Sequence, residues 1–382
     1  MNSSKPSRNG ILAIAILLIT LVGLSLSLFI PLLSIDMERM AIAPTLSGLN
    51  TAIGGIGTIC TVPFVPRLAQ RFGLRRVIAL AIIVAALTAI GFYWLPFWLW
   101  FTLRFLFGAS IGTLFVLSEY WINAAAPDDK RGLVMGIYAT FLSLGFAAGP
   151  LLLGLTGTQG MAPYLVGACI MLLALLPLIF GQGETPQIEG GSSVAVHSFL
   201  RTAPVATCAA LVFGAIETGG FALFPVYGLR NAMTEITAAG LISLVAAGNI
   251  VSQIPLGWLS DRIERPRLLL ICASVGVIGC IAMPLTISTP GLFFTVLFIW
   301  GGFTGGLYSV GLAHLGARFK GADLATANAA FVMLYSVGMI AGPPVVGAGM
   351  DLVGSQGFAM ALGLMLLLYA MLVMQRLFRQ QA

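Results

Sequence analysis

The segment Leu68-Ala69-Gln70-Arg71-Phe72-Gly73 lies between two long apolar runs, and a similar segment, Leu259-Ser260-Asp261-Arg262-Ile263-Glu264, lies between two others. The second segment begins 191 residues after the first (259 minus 68), and this offset is half of the 382-residue chain. Farther along, Ala148-Gly149-Pro150 recurs as Ala341-Gly342-Pro343 at an offset of 193. The sequence therefore predicts an internal duplication, in which two copies of one structural unit follow each other.

The composition indicates a membrane protein. Hydrophobic residues make up 59% of the chain and charged residues 8%, whereas roughly a quarter of the residues in a soluble domain are charged. About 20 apolar residues cross a bilayer as a helix. We predict an all-α membrane protein with twelve transmembrane helices in two pseudo-symmetric six-helix halves. The predicted spans are 10–32, 45–66, 76–95, 98–121, 133–156, 162–181, 203–226, 236–259, 267–287, 290–312, 324–348 and 356–375.

The net charge of +6 does not indicate a nucleic-acid partner, because the basic residues alternate by side of the predicted membrane. Of the 19 Lys and Arg residues, sixteen fall on one predicted face, Arg39 and Arg230 fall on the other, and Arg104 lies within a span. Positive residues concentrate on the cytoplasmic side of membrane proteins. We therefore expect both termini in the cytoplasm.

A stretch without apolar periodicity, from Gly181 to Ser198, divides the predicted helices six to six. The predicted domains are an N-terminal bundle (1–180), a cytoplasmic linker (181–200) and a C-terminal bundle (201–382). No phosphate-binding loop, nucleophile triad or metal-spaced cluster is visible, so we expect neither an enzyme nor a cofactor. Parallel repeats around a midplane site are typical of secondary transporters. A non-transporting sensor is the alternative, although the short predicted linker leaves little surface for signalling.

The two loops resemble the signature loop of the major facilitator superfamily, approximately GxLaDRxGRR. The second copy, Gly257-Trp258-Leu259-Ser260-Asp261-Arg262, follows that pattern. The first copy departs from it at Pro66, Gln70 and Leu74. The resemblance implies the fold of that superfamily, and the segment from Glu119 to Pro150 resembles a poorly characterised bacterial branch of it.

These loops are predicted to form a cytoplasmic gate. Guanidinium and carboxylate groups at helix ends pair with each other and with facing helix termini, which stabilises the state closed on that side. For Arg75 the alternative is that it only sets the topology. The predicted gate residues are Gln70, Arg71, Gly73, Arg75, Asp261, Arg262 and Arg265.

Two charged residues within spans are candidates for proton coupling. An arginine inside a bilayer is costly unless it has a partner or faces water. Arg104 shares one helix face with Gly108, Gly112, Phe115 and Glu119, which is predicted to face the bundle interior. The segment around Arg104 resembles the helix-four motif of drug:proton antiporters, and this resemblance implies a part in proton coupling. A buried structural ion pair is the alternative.

Glu217 lies near the middle of the seventh predicted span. A carboxyl that faces a cavity open alternately to each side is suited to bind and release protons. The alternative is a structural carboxyl that never titrates. Glu119 lies toward the cytoplasmic end of the fourth span, where we expect a gate contact, with a substrate or proton role as the alternative.

A glycine motif, Gly145, Gly149, Pro150 and Gly154, resembles the GxxxGPxxGG motif of drug:proton antiporters, but Gly338, Gly342 and Pro343 repeat its spacing, so duplication alone could explain it. Neutral and aromatic residues are the predicted substrate lining and favour an amphipathic or weakly charged ligand. They are Tyr138, Phe221, Phe224, Asn249, Gln253, Trp300, Tyr308 and Tyr335.

The sequence thus predicts proton-coupled efflux of small amphipathic organic molecules or drugs, with proton-coupled uptake of a metabolite as the alternative. The expected partners are a small-molecule substrate, protons and the lipid bilayer, and we expect a monomer in a bacterial inner membrane.

Overall fold

The computed structural model describes residues 8–125, 131–176, 178, 203–318 and 321–381. Within these ranges the regular structure is helical, and we number the α-helices along the chain. They are α1 (Arg8–Arg39), α2 (Pro44–Thr61), α3 (Val65–Phe72), α4 (Leu74–Trp94), α5 (Phe97–Ala125), α6 (Arg131–Thr156), α7 (Ala162–Leu173), α8 (Pro204–Arg230), α9 (Glu235–Ser260), α10 (Arg265–Thr286), α11 (Pro290–Arg318), α12 (Gly321–Val353) and α13 (Gln356–Gln381).

In the described part of the chain, nine helices are long and apolar enough to cross a membrane, namely α1, α4, α5 and α8 to α13. Two shorter apolar helices, Thr140–Thr156 within α6 and Ala162–Leu173, coincide with predicted spans. The predicted second span, 45–66, is interrupted. Its first helix ends at Thr61, a 3-10 turn covers Val62–Phe64, and α3 follows. Pro63 and Pro66 are the second residues of the turn and of α3, within the first turn of each, where a missing backbone N–H is tolerated.

The chain groups by contacts into two compact units. The first unit comprises Met1–Leu33 and Ile53–Gly191, and the second comprises Ser34–Ala52 and Ser192–Ala382. The segment Ser34–Ala52, which belongs to the first repeat by sequence, therefore belongs to the second unit by packing. The whole of the predicted linker, 181–200, lies outside the described residues, so the division into two bundles joined there stays a prediction.

Equivalent glycines make equivalent helix contacts inside the two units. A Cβ on Gly145 of α6 would lie 2.5 Å from the carbonyl oxygen of Thr20 in α1. A Cβ on Gly338 of α12 would lie 2.0 Å from the carbonyl oxygen of Leu211 in α8. Thr20 and Leu211 are 191 residues apart, and the two glycines are 193 apart. The repeated motif therefore holds backbones closer than any side chain allows, as small residues do between membrane helices.

The other motif glycines differ in their surroundings. A Cβ on Gly149 would lie 1.9 Å from Ser27 Oγ, and one on Gly342 would lie 2.0 Å from the carbonyl oxygen of Ala215. Pro150 and Pro343 are buried, whereas Gly154 is exposed. The packing role of the buried members is explained by these distances, and any role in efflux stays a prediction.

Segment Ser34–Ala52 is joined to the rest of the second unit by two ion pairs, which we call the crossed pairs. Arg230 Nε donates to Glu38 Oε1 over 2.8 Å, and Arg39 Nε donates to Glu235 Oε1 over 2.9 Å. The two arginines are 191 residues apart, so each repeat supplies one guanidinium. The turn between α1 and α2 and the turn between α8 and α9 each contain an alanine with positive φ. These are Ala41 at 54° and Ala232 at 60°, which are again 191 residues apart.

The N-terminus of α2, which lies in the same segment, is also bound by a side chain of α12. Asp351 Oδ2, at the end of α12, accepts from the backbone N–H of Thr45 over 2.9 Å and also contacts Thr45 Oγ1. A carboxylate at a helix N-terminus satisfies an otherwise unpaired donor and interacts favourably with the helix dipole. Glycines allow this approach, since a Cβ on Gly347 would lie 2.3 Å from the carbonyl oxygen of Pro44.

Candidate functional site

A cavity lies inside the second unit. The space between its lining atoms is about 320 Å³ when the open solvent at its mouth is counted, and three helices supply its described lining. On α8 the lining positions are one, three or four residues apart, which at 100° per residue keeps them on one helix face. The lining residues are Phe213, Ile216, Glu217, Phe221 and Phe224 from α8, Val245, Ala246 and Asn249 from α9, and Trp300, Gly301 and Thr304 from α11.

Glu217 places a carboxyl on the cavity wall. Tyr335 Oη of α12 donates a hydrogen bond of 2.6 Å to Glu217 Oε2. The tyrosine ring is held in turn by Phe213, with centroids 6.0 Å apart and planes nearly parallel at 24°, and by Tyr308, with centroids 5.5 Å apart. Packed rings fix the direction of the phenol, so the carboxyl is oriented by a rigid donor.

The first unit contains an internal comparison for this polar pair. The repeat offsets place Leu26 opposite Glu217 (26 plus 191) and Leu142 opposite Tyr335 (142 plus 193). Leu142 packs closely in the first unit, because a Cβ on Gly23 would lie 2.9 Å from its Cδ1. The equivalent glycine of the second unit, Gly214, meets Tyr335 in the same way, so the packing position is leucine in one unit and tyrosine in the other, while the position of the carboxyl is leucine in the first repeat. Packing alone does not require the polar pair.

Aromatic rings form much of the remaining wall. Phe224 is 0% exposed and Trp300 is 2% exposed, and their centroids lie 5.7 Å apart at an interplanar angle of 79°. Phe358 of α13 supports Phe224 from behind, with centroids 4.7 Å apart. Edge-to-face pairs of this kind stabilise one another beyond the burial of their area. These walls are preformed by the core of the second unit.

An amide pair completes the polar groups near the cavity. Gln253 Nε2 donates to Asn249 Oδ1 over 2.5 Å, one turn apart on α9. A Cβ on Gly305 of α11 would lie 2.2 Å from Asn249 Oδ1, so this amide occupies space that a glycine leaves open. Thr304 donates its hydroxyl hydrogen to the Trp300 carbonyl oxygen over 2.8 Å, which leaves its oxygen as an acceptor.

Four of the predicted lining residues lie on the cavity wall: Phe221, Phe224, Asn249 and Trp300. Tyr308 and Tyr335 form an aromatic cluster with Phe213, while Gln253 contacts Asn249. The side chain of Tyr138 lies outside the described residues. Phe213 was missed by sequence reasoning, although its position one helical turn before Glu217 was a visible signal.

Arg104 is buried in the first unit. It is 5% exposed, and its Cζ lies 5.8 Å from the centroid of the Phe92 ring. Phe92 is itself packed edge-on against Trp100 and Phe107. The equivalent position in the second repeat (104 plus 193) is Leu297, which is 0% exposed. Arg104 is thus a departure from the repeat, as Glu217 is.

The predicted gate residues of the first loop lie at the junction of α3 and α4. Arg71 is exposed, with its Cζ 5.4 Å from the Phe72 ring centroid. Gly73 separates the two helices at φ 88°, a conformation that favours glycine. Gln70 is exposed and Arg75 is half-buried. The side chain of Glu119, the other predicted gate residue in this half, lies outside the described residues.

In the second loop, Asp261 and Arg265 form a local pair of 3.4 Å in which the aspartate remains 75% exposed. Arg262 lies flat on a neighbouring ring, with its Cζ 3.7 Å from the Trp258 centroid. These contacts hold the loop locally. The action of both loops as a gate stays a prediction.

Residues 15–246 and 231–381 match the Major Facilitator Superfamily. The chain belongs to this superfamily. An uncharacterized MFS-type transporter of Bacillus subtilis (strain 168), YfkF, is 28% identical over 337 residues, which covers 86% of each chain. One of Yersinia pestis (strain Pestoides F) is 29% identical over 295 residues, covering 75% of this chain and 74% of the relative.

Solved transporters share the fold. A bacterial homologue of the human lysosomal transporter Spinster has a TM-score of 0.77 at 14% identity and covers 97% of this chain and 96% of its own. The nucleoside transporter NupG has a TM-score of 0.77 at 14% identity, covering 96% and 98%. A D-xylose-proton symporter has a TM-score of 0.76 at 16% identity, covering 96% and 97%. This transporter is therefore an integral membrane protein, and it has the fold that its sequence predicts.

Proposed function

We propose that this transporter is a proton-coupled antiporter that exports small amphipathic organic molecules, with Glu217 as the proton carrier. The observation that carries the proposal is the cavity carboxyl with its Tyr335 hydrogen bond, at a place where the first repeat has Leu26 and Leu142. A half-buried carboxyl within a span, at a position where the other repeat has leucine, is a candidate for function.

The chemistry follows from the charge of Glu217. As a carboxylate it accepts the hydrogen bond of Tyr335 and leaves a negative charge at the wall of an aromatic cavity. Protonation removes that charge without moving the backbone. An antiporter needs two loaded forms that exclude each other, and one carboxyl that holds either a proton or a substrate supplies this exclusion.

Arg104 has a different part in the proposal. Arg104 carries a permanent positive charge and lies against Phe92 in the first unit. We propose that this charge tunes the affinity of Glu217 for protons. Both termini are proposed to lie in the cytoplasm of a bacterial inner membrane, because sixteen of the 19 basic residues fall on one predicted face.

Proteoliposomes with an imposed pH gradient test the proposal. Internal pH is followed while drugs and metabolites are added to the wild type and to Glu217→Gln. One pH unit corresponds to about 1.4 kcal/mol per proton, which sustains roughly a tenfold gradient of a neutral substrate exchanged one for one. We expect substrate-triggered proton movement in the wild type and none in the variant.

Glu264→Gln is the matched control, since Glu264 is an exposed carboxyl that pairs with Arg267 over 2.9 Å outside the cavity. Its proton movement should equal that of the wild type. Gradient-driven transport that persists unchanged in Glu217→Gln would remove the carrier role. Proton and substrate moving in the same direction would instead establish uptake by symport.

A further inference from the structure

The charge and shape of the cavity restrict its ligand. Among the described residues that line the cavity, Glu217 is the charged one, and none of them is Arg, Lys or His. An organic anion would meet a carboxylate there with no compensating cation on the wall, whereas a cationic nitrogen would be attracted to it. Phe221, the half-buried aromatic side chain of the wall, acts in the same sense, because aromatic rings attract cations through their quadrupole.

The amide of Asn249 adds a second requirement. Its Oδ1 is occupied by the hydrogen bond from Gln253, so its NH₂ group is the part with donors to offer to a ligand. The glycine at 305 keeps the amide in place, because a Cβ there would lie 2.2 Å from Oδ1. A ligand that fills the cavity and leaves this donor unpaired would lose affinity.

The first repeat again gives a comparison. The residues equivalent to Asn249 and Gly305 are Thr58 (58 plus 191) and Gly112 (112 plus 193). Thr58 Oγ1 donates to the Gly108 carbonyl oxygen over 2.8 Å, and so its hydrogen is used within the helix packing. A Cβ on Gly112 would lie 2.6 Å from the Thr58 methyl group. The repeat contact is preserved in both units, but in the second it presents an amide.

We propose that the ligand of this cavity is an aromatic organic cation that also carries a hydrogen-bond acceptor. Its cationic nitrogen pairs with the Glu217 carboxylate, its ring packs on Phe221, and its acceptor receives a hydrogen bond from Asn249. The assignment rests on the proposed function for the identity of the substrate site. It goes beyond that function because it names two chemical groups that the substrate must carry. Asn249 is thereby a specificity-determining residue.

Three related probes test this requirement by fluorescence titration of the full-length protein in detergent. The first, N-(2-dimethylaminoethyl)-1-naphthamide, has a ring, an amine cation and a carbonyl acceptor. The second, N,N-dimethyl-2-(1-naphthyl)ethylamine, lacks the carbonyl. The third, N-butyl-1-naphthamide, lacks the cation. We expect the first to bind most tightly and the third least tightly.

The variants separate the two contacts. Asn249→Ala should weaken binding of the first probe by roughly 2- to 12-fold, as expected for one neutral hydrogen bond, and leave the second probe unchanged. Glu217→Gln should weaken both amines by roughly 10- to 150-fold, as expected for a hydrogen bond to a charged group. The neutral third probe should bind this variant as it binds the wild type.

Gly305→Ala is a second route to the same prediction, because it displaces the Asn249 amide without deleting it. It should reproduce the effect of Asn249→Ala on the first probe. Gly240→Ala is the matched control, since Gly240 lies on the same helix as Asn249 and a Cβ there meets nothing within 4 Å. Binding of all three probes by the control should equal that of the wild type.

Failure of this inference and failure of the proposed function are distinguishable, because the titration uses no proton gradient. Equal loss of both amines in Asn249→Ala, or third-probe affinity equal to that of the first, would overturn the ligand assignment and leave proton coupling intact. Selective binding as predicted, combined with gradient-driven transport in Glu217→Gln, would overturn the carrier role and leave the ligand assignment intact.

Discussion

Reversing one charge of the crossed pairs should loosen the docking of segment Ser34–Ala52 on the second unit. The pair between Arg230 and Glu38 is the cleaner of the two, because Arg39 also contacts Asp36 over 2.5 Å. The perturbation is Arg230→Glu, which removes the pair and places two carboxylates together. Glu38→Arg is the reciprocal change, and the double variant restores opposite charges in exchanged positions.

The size of the change in the free energy of local opening depends on how exposed the two side chains are. The Arg230 and Glu38 side chains keep 29% and 22% of their surface, so solvent screens the interaction in part. Pairs of this kind contribute about 0.2–1 kcal/mol, and the bidentate contact places this one near the upper value. Repulsion in the single variant adds about 1 kcal/mol in water-like surroundings. The total of about 2 kcal/mol corresponds to a roughly 30-fold rise in the open population.

Hydrogen exchange measured by mass spectrometry reports this population directly, since amides that exchange through local opening follow its free energy. Amides within residues 44–52 should exchange roughly 30-fold faster in Arg230→Glu and in Glu38→Arg. In the double variant they should return to within about threefold of the wild-type rate. Raising the ionic strength to 1 M should reduce the difference in exchange rate between each variant and the wild type, because the Debye length falls to about 3 Å.

The pair between Arg267 and Glu264 is the control. It has the same chemistry over 2.9 Å but joins neighbouring residues at the start of α10, with 55% and 62% exposure. Reversal of either residue there should leave exchange in 44–52 at the wild-type rate. Unchanged exchange in both single variants of the crossed pair, or a double variant that exchanges as fast as they do, would refute the reasoning.

Three further predictions concern helix packing, the α2 N-terminus and the second loop. Gly301→Ala should lower the free energy of unfolding in detergent by about 1–3 kcal/mol through overpacking, since its Cβ would lie 2.4 Å from the Val245 carbonyl oxygen, whereas Gly240→Ala should not lower it. Asp351→Ala should cost about 1 kcal/mol and speed exchange at the start of α2, and equal rates in both proteins would contradict the cap. Asp261→Asn should change stability by less than about 0.5 kcal/mol yet shift spin-label distances across the predicted cytoplasmic face toward inward-open values, and unchanged distances would count against the gate.

Much of the fold was readable from the sequence because the bilayer restricts what a chain can do. Backbone groups in hydrocarbon must be bonded within the segment, so each long apolar run in such a chain predicts a helix. The repeat was visible in Ala148-Gly149-Pro150 and its copy, because the same helix contact demands the same small residues. The end of α2 at Thr61 was predicted too late, although Pro63 and Pro66 marked it.

The candidate site was predictable in part. Glu217 stood out because acids are rare inside spans, and Phe221 and Phe224 were named as aromatic residues of the same predicted helix. Its partner Tyr335 was named as lining, but the hydrogen bond between them joins residues 118 apart in sequence. Such a contact depends on the packing of α8 against α12, and no local pattern encodes it. The hydrogen bond from Gln253 to Asn249 Oδ1 could not be predicted for a related reason, because it depends on the rotamers of both side chains.

The sequence by itself determined that this is an all-helical membrane protein with a duplicated architecture, since hydropathy and glycine spacing are written along the chain. Tertiary structure decided which residues meet. It placed Ser34–Ala52 in the second unit, paired Arg230 with Glu38, and joined Tyr335 to Glu217 at positions where the first repeat has leucines. The physical reason is that apolar burial depends on composition and period alone, whereas ion pairs and hydrogen bonds depend on distances of about 3 Å that only packing sets.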